Sequence, residues 1–189
     1  FGGETLLVPT IRSDIPLDGE AMSIYDRVPT MFVVTPIYDD QRKVNAVLAL
    51  RMDPALNFTR ITQLGRVGET GETYAFDDKA YLISESRFDH HLRRVGIINP
   101  GEKGILNIRI TDPGGNLLEG YPLNLDEKKS PTIMAANALT GNNGYNTDGY
   151  RDYRGVTVFG TWLWDKNLNY GLTTEIDKDE ALQPYYHAR

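Results

Sequence analysis

An α+β fold, a central antiparallel sheet flanked by helices, is the expectation for this chain, and three observations carry it. Residues 149–180, GYRDYRGVTVFGTWLWDKNLNYGLTTEIDKDE, read as short strands joined by tight polar turns around Gly155 and Asp165 to Asn169. β-Branched and aromatic residues dominate these strands, so an antiparallel meander is the economical reading. The apolar runs MFVVTPIYDD and KVNAVLALRMD flank a polar turn at Asp39 to Arg42, which is a hairpin pattern. Finally, helix-start signals recur between these strands. An isolated hairpin is marginal in water, so both sheets need something to pack against.

The elements follow in order. Residues 1–30 are interrupted by Gly2, Gly3, Pro9, Pro16, Gly19 and Pro29, leaving only TLLVPTI at 5–11 as a strand candidate. After the hairpin, Asp53 offers an N-cap oxygen and Pro54 occupies the first helical position, where its missing N–H costs nothing. Leu56, Ile61 and Leu64 are expected to form the packing side of that helix, which Gly65 ends. ETYAFDD then opens a second unit, AYLISES continues it, and Ser86 is read as a cap for FDHHLRRVGII. A polar, Gly- and Pro-rich region covers 99–128. Ser130 and Pro131 start a third helix with Ile133, Met134, Ala138 and Leu139 on its packing side. Asp177 and Glu180 have the spacing of a capping box for a fourth. No repeat or low-complexity tract is visible.

Composition narrows the function. The formal charge of −6 is dispersed and no basic block occurs, which argues against a nucleic-acid partner. With no cysteine, neither a disulfide framework nor a thiolate metal site is available. No window approaches the roughly 20 apolar residues of a spanning helix. Because the chain starts at Phe1 without a methionine or signal peptide, it reads as a piece of a longer protein.

Catalytic signals are weak. His90 and His91 are helix neighbours that point in different directions, His187 is remote, and no HExxH pattern accompanies them, so no metal or cofactor is expected. GETGET precedes a strand and lacks the lysine of a phosphate loop, which leaves a turn. Ser84, Glu85 and Ser86 lack the GxSxG elbow of a hydrolase. The strongest candidate is the aromatic and arginine cluster Tyr150, Arg151, Tyr153, Arg154 with Trp162. Strand alternation through GYRDYRG would put Tyr150, Asp152 and Arg154 on one face and Arg151 with Tyr153 on the other. Arginine beside tyrosine suits a carboxylate, by a bidentate fork plus a directional hydroxyl. Trp162 and Trp164 share a face and would supply an apolar wall or a cation-binding surface. The competing reading is that these arginines and tyrosines bond to loop carbonyls and acidic side chains and lock the module.

GETYAF, SESRF, GYRDYRG, VFGTWLW and TEID followed by an acidic helix start together resemble the membrane-proximal half of a double Cache domain, the PAS-like extracytoplasmic sensor of prokaryotic receptors. The resemblance spans residues 66–182. It implies a remnant of the membrane-distal module at 1–52, a linker helix at 53–65, the proximal module at 66–182 and a lead-in to a transmembrane helix at 183–189. It also places Tyr74 and Arg87, with Ser86, near the mouth of a pocket. The function implied is sensing of a small polar ligand, carboxylate-bearing by the chemistry of the arginine cluster. The receptor would be a plasma-membrane homodimer with flanking transmembrane helices and an output such as a histidine kinase, the fragment itself being non-enzymatic. A ligand-free structural or dimerisation module and a secreted hydrolase are the alternatives. The family's amino-acid-binding pattern belongs to the distal module and is not carried over.

Overall fold

The computed structural model describes residues 3–13, 28–124 and 128–187. The architecture is α+β, and the described residues form two antiparallel sheets and four α-helices. The first sheet has the order β1-β2-β3, from Leu6–Arg12, Pro29–Tyr38 and Val44–Met52. Its hairpin closes where Asp39 Oδ1 accepts the N–H groups of Gln41 and Lys43, with Arg42 in the left-handed region at φ 61°. The expected hairpin and the strand at the N-terminus are both present; the irregular reading of 14–27 lies outside the described residues.

Asp53 Oδ1 accepts from Ala55 N, and a π-helical turn at Pro54–Phe58 leads into α1, Thr59–Gln63. The cap is as expected, but the packing side is not. Leu56, Ile61 and Leu64 are 65, 66 and 87% exposed, whereas Pro54, Ala55, Thr59 and Thr62 are buried. Thr59 Oγ1 accepts the backbone N–H of Glu85, so a polar requirement of the neighbouring segment turns the threonine face inward.

The second sheet has the order β4-β7-β6-β5: Glu72–Asp77, Tyr170–Asp177, Thr157–Asp165 and Gly144–Arg151. Residues 80–83 run beside β4 through only a bridge at Phe76 and Leu82. Partners across an antiparallel ladder share a face, so the register puts Glu72, Tyr74, Phe76, Thr173, Glu175, Val158, Trp162, Trp164 and Tyr150 on one side. That side is the core. Helices α2 (Asp89–Arg94) and α3 (Ile133–Leu139) and the connection between them cover it with Leu92, Ile98, Ile108, Ile110, Met134 and Ala138. A Cβ on Gly171 would lie 2.2 Å from the Phe76 ring and one on Gly160 2.2 Å from the Tyr150 hydroxyl. Two glycines therefore make room for two inward aromatics.

Three caps differ from expectation. Ser86 Oγ accepts from Phe88 N as a turn ahead of α2, which begins only at Asp89. Thr132, not Ser130, caps α3 through Ala135 N, and this register buries Met134, Ala135 and Ala138 while exposing Ile133. The fourth helix, α4 (Lys178–His187), has no capping box, because Asp177 and Glu180 have partners elsewhere in the fold.

Gly155 sits at φ 79°, and a Cβ there would lie 1.8 Å from the carbonyl oxygen of Gly115. Gly155→Ala is expected to destabilise the fold by about 2 kcal/mol or more, combining left-handed strain with displacement of the 113–115 backbone. A urea midpoint unchanged from the parent chain would contradict that packing.

Candidate functional site

Glu72 on β4 and Glu175 on β7 face each other across the ladder, on the core side. Both are buried. A carboxylate removed from water must be hydrogen-bonded or neutralised, and here the surrounding aromatics supply the donors. Tyr150 donates to Glu175 Oε1 at 2.6 Å and Tyr74 to Oε2 at 2.8 Å. Tyr153 donates to Glu72 Oε2 at 2.6 Å and the backbone N–H of Arg87 to Oε1 at 2.6 Å. Ser86 Oγ lies 2.8 Å from the Tyr153 hydroxyl. Burial pushes the Glu175 carboxyl up to about 8, aided by the nearby Asp152 charge and opposed by the two tyrosine hydroxyls. Glu72 is also raised by burial, with Tyr153 pulling the other way.

Beside this pair, Arg154 donates from Nε to Asp152 Oδ2 and from Nη2 to Asp177 Oδ1, both at 2.6 Å, with its guanidinium 3.7 Å from the centre of the Phe88 ring. Asp152 is buried too and additionally accepts from Arg154 N and Val156 N, closing the turn after β5. The ion pairs tie that turn to the end of β7, where α4 begins.

A second set of bonds grips the other side of α4. Glu180 Oε1 accepts from Glu69 N at 2.7 Å, and Oε2 accepts from both the N–H and the hydroxyl of Thr70. The Thr70 hydroxyl also receives Asp177 N. These donors, the Thr70 hydroxyl foremost, hold the Glu180 carboxyl below its usual range. From the opposite direction Arg87 donates to the carbonyls of Gly71 and Gly68, at 2.7 and 2.9 Å. The GETGET turn, without phosphate-loop chemistry, is thus held between SESRF and α4. Gly68 is required there, since its φ is 59° and an added Cβ would meet Glu180 Oε1 at 2.2 Å.

The expected site residues are distributed as follows. Tyr74, Tyr150, Tyr153, Arg154 and Trp162 are all buried in one region. Arg87 lies beside them and bonds to loop carbonyls. Arg151 is exposed and forms a bidentate pair with Asp112, at 2.8 and 2.9 Å. The expected alternation breaks at Tyr153: β5 ends at Arg151, Asp152 N bonds to Val156 O, and the turn sends Asp152, Tyr153 and Arg154 all inward. Sequence reasoning missed Glu72 and Glu175 as centres of the cluster. A signal existed, because alternation in ETYAF places Glu72 on the same face as Tyr74 and Phe76.

Above the sheet a cavity of about 260 Å³ opens among Ile97, Ile108, Leu117, Arg109, Lys128 and Lys129, with Tyr153 in its wall. It is the one expected site residue there. Among the described residues no group of histidines and carboxylates has the arrangement of a metal site.

Several solved structures share this chain path. The extracellular domain of the histidine-kinase candidate mmHK1S-Z3 matches with a TM-score of 0.56 at 14% identity, over 98% of this chain and 54% of that one. The periplasmic sensory domain of the Campylobacter jejuni chemoreceptor Tlp1 gives 0.51 at 12%, over 96 and 52%. A third extracellular domain, of the histidine-kinase candidate rpHK1S-Z16, gives 0.50 at 12%, over 96 and 56%. The fold is Cache-like. This Cache-like chain spans about half the length of those solved domains. No family model and no curated protein matches it. Among the described residues no helix of the Cache-like fold is long and apolar enough to cross a membrane.

Two outcomes follow from the site geometry. Arg154→Ala leaves Asp152 and Asp177 without their counter-charge and is expected to cost about 3–5 kcal/mol, whereas Arg151→Ala removes an exposed pair and is expected to cost no more than about 1 kcal/mol. Chemical denaturation of the two variants checks this, and equal losses would contradict it. The second outcome concerns pH. Glu175 binds its proton more tightly folded, near 8, than at the ordinary value of 4.5, so its contribution to stability is complete below about 4.5 and is lost as pH rises through about 8. The slope attributable to one proton is at most about 1.4 kcal/mol per pH unit. Denaturation midpoints measured across that window are expected to fall with pH, and less steeply in Glu175→Gln.

Proposed function

We propose that residues 66–182 are the membrane-proximal, ligand-sensing module of an extracytoplasmic receptor domain. Residues 1–52 then belong to the distal module, 53–65 link the two, and 183–189 lead toward a transmembrane helix. In this reading the receptor is a homodimer in the plasma membrane, with a histidine kinase as its output. A small polar ligand at the tyrosine and arginine cluster biases the position of α4.

One observation carries the reading: the cluster is continuous with the start of α4. From Tyr153 in the cavity wall, hydrogen bonds run to Glu72 and on to the backbone N–H of Arg87. The Arg87 side chain holds the Gly68 and Gly71 carbonyls, and that turn holds Glu180. Arg154 reaches α4 by the separate route through Asp177. An occupant that moves Tyr153 therefore acts on groups that fix both sides of the helix start. A ligand shifts such an equilibrium only by its differential affinity for the two positions.

The internal pairing of Tyr74, Tyr150 and Arg154 favours a second reading, a ligand-free module that holds a receptor dimer in register. A hydrolase is less well supported, because Ser84 Oγ accepts from Ala75 N and Ser86 Oγ is engaged with Tyr153 and Phe88. Thermal unfolding against a panel of carboxylates, amino acids, amines and sugars separates the two module readings. A ligand at a hundredfold excess over its Kd is expected to stabilise the chain by about 2.7 kcal/mol. No shift from any class would favour the ligand-free module, and turnover on an ester and glycoside panel would favour the hydrolase.

A further inference from the structure

We propose that the buried carboxyl cluster between β4 and β7 is a proton-operated switch for α4, in which Glu175 carries a proton while the helix is held as described and loses it when the helix is released. The input is then the hydrogen ion. Only α4 as the moving element is shared with the sensing reading, and no small molecule is needed.

The balance of charge is the first observation. Glu72, Asp152 and Glu175 are buried together, and the Asp177 side chain at the end of β7 is only 19% exposed. Against these four carboxyls stands the guanidinium of Arg154, which Asp152 and Asp177 already engage at 2.6 Å each. Glu72 and Glu175 are direct cross-strand partners. Like charges so placed repel, and in a low-dielectric interior they do not both stay ionised. Glu72 is the better placed to ionise, since it accepts the Arg87 N–H as well as the Tyr153 hydroxyl and feels the Arg154 charge. Glu175 has only the neutral hydroxyls of Tyr74 and Tyr150. Both contacts survive protonation, one of them with donor and acceptor exchanged.

The elements packed around Glu175 bring no second cation to it. β4 presents Glu72 and Tyr74, β5 presents Tyr150, and the turn after β5 presents Asp152, Tyr153 and Arg154. β6 contributes Val158, Gly160 and Trp162, and α3 contributes Met134, Ala135 and Ala138, none of them titratable. Arg87 spends its guanidinium on the carbonyls of Gly68 and Gly71. His91 on α2 stacks on Phe88 and is held below its usual range by burial and by the charges of His90, Arg94 and Arg154, so it titrates on the acid side of Glu175. The link to the helix is short. Glu175 and Asp177 lie on the same side of β7, and α4 begins at Lys178. Once ionised, Glu175 competes with Asp177 for Arg154, and loss of the Arg154–Asp177 pair removes one of the ties at the helix start. Burial places that ionisation near 8, so the proton passes to solvent in a mildly alkaline range.

The test reads the proton and the helix separately. Infrared difference spectra across pH roughly 5 to 10 follow the carbonyl stretch of a protonated carboxylic acid, which is expected to disappear with a midpoint near 8 and to be missing in Glu175→Gln. The chain has no cysteine, so Tyr145→Cys on β5 and Tyr186→Cys on α4, both exposed, accept a unique pair of spin labels. Their distance distribution is expected to change with the same midpoint, and to keep the parent's acid form at every pH in Glu175→Gln. Tyr150→Phe removes a donor that favours the ionised carboxyl, so both midpoints are expected to rise by about one unit. A merely structural role for Tyr150 would not move them together. The inference is overturned by the absence of a titrating carboxylic acid in that window, by a distance distribution that ignores it, by an unchanged transition in Glu175→Gln, or by a midpoint in Tyr150→Phe that stays or falls. Should Glu175→Gln not fold, the parent and Tyr150→Phe titrations decide alone. The sensing reading is tested independently, at fixed pH, by the small-molecule panel.

Discussion

Two glutamates placed opposite each other under a sheet set the terms for everything around them. Glu72 and Glu175 sit where apolar residues would pack more cheaply, and each buried carboxyl requires donors of the right reach. Tyrosine meets that requirement while contributing apolar bulk, since the ring fills core volume and the hydroxyl reaches the carboxyl. Tyr74, Tyr150 and Tyr153 do this from three different segments, and Tyr74 and Tyr153 also meet edge to face with centroids 5.5 Å apart. The acidic pair thereby dictates which aromatics are inward, which glycine must clear the Tyr150 hydroxyl, and why the chain after β5 curls in instead of continuing as a strand.

A buried polar network of this kind is a costly way to gain stability and a good way to gain specificity of arrangement. Replacing it with leucines would leave nothing to define where the GETGET turn or the start of α4 belongs. As built, each of those two segments is positioned by charged or polar groups with fixed geometry: Glu180 on the turn amides, Arg87 on its carbonyls, Arg154 between Asp152 and Asp177. Contacts of this kind can have discrete alternatives, as the proposed movement of α4 requires. Tyr153, in the wall of the cavity, is one hydrogen bond from Glu72.

The first sheet is constructed on different terms. Its strands are apolar on both faces, with Leu48 and Leu50 on β3 60 and 62% exposed, and no described helix covers it. It joins the second unit through Thr10 on the Ile83 carbonyl and Arg12 on Leu106 and Asn107. All are polar; the first is buried and the other two are exposed. An uncovered sheet of this composition accords with the proposal that residues 1–52 belong to a larger distal module.

How far the sequence alone reached depended on the range of the interactions involved. Strand positions were legible in the hairpin at 31–52 and in the last two strands of the meander at 149–180, because alternation and turn residues are local signals; the first strand begins earlier, at Gly144, and ends at Arg151. The cap at Asp53 was legible for the same reason. Local rules failed wherever a residue had a better partner far away. Glu180 had capping-box spacing but binds a turn 110 residues earlier. Thr59 serves Glu85, so α1 shows its leucines to water. Tyr153, set by alternation on the face opposite Tyr150 and Arg154, turns in beside them to meet Glu72 across 81 residues. The sequence identified the tyrosines and arginines as a cluster, since they are neighbours in the chain. That their partners are Glu72, Glu175 and Asp177, and that a cavity lies above Tyr153, was decided only in the tertiary structure, where the ladder between β4 and β7 brings distant segments into register.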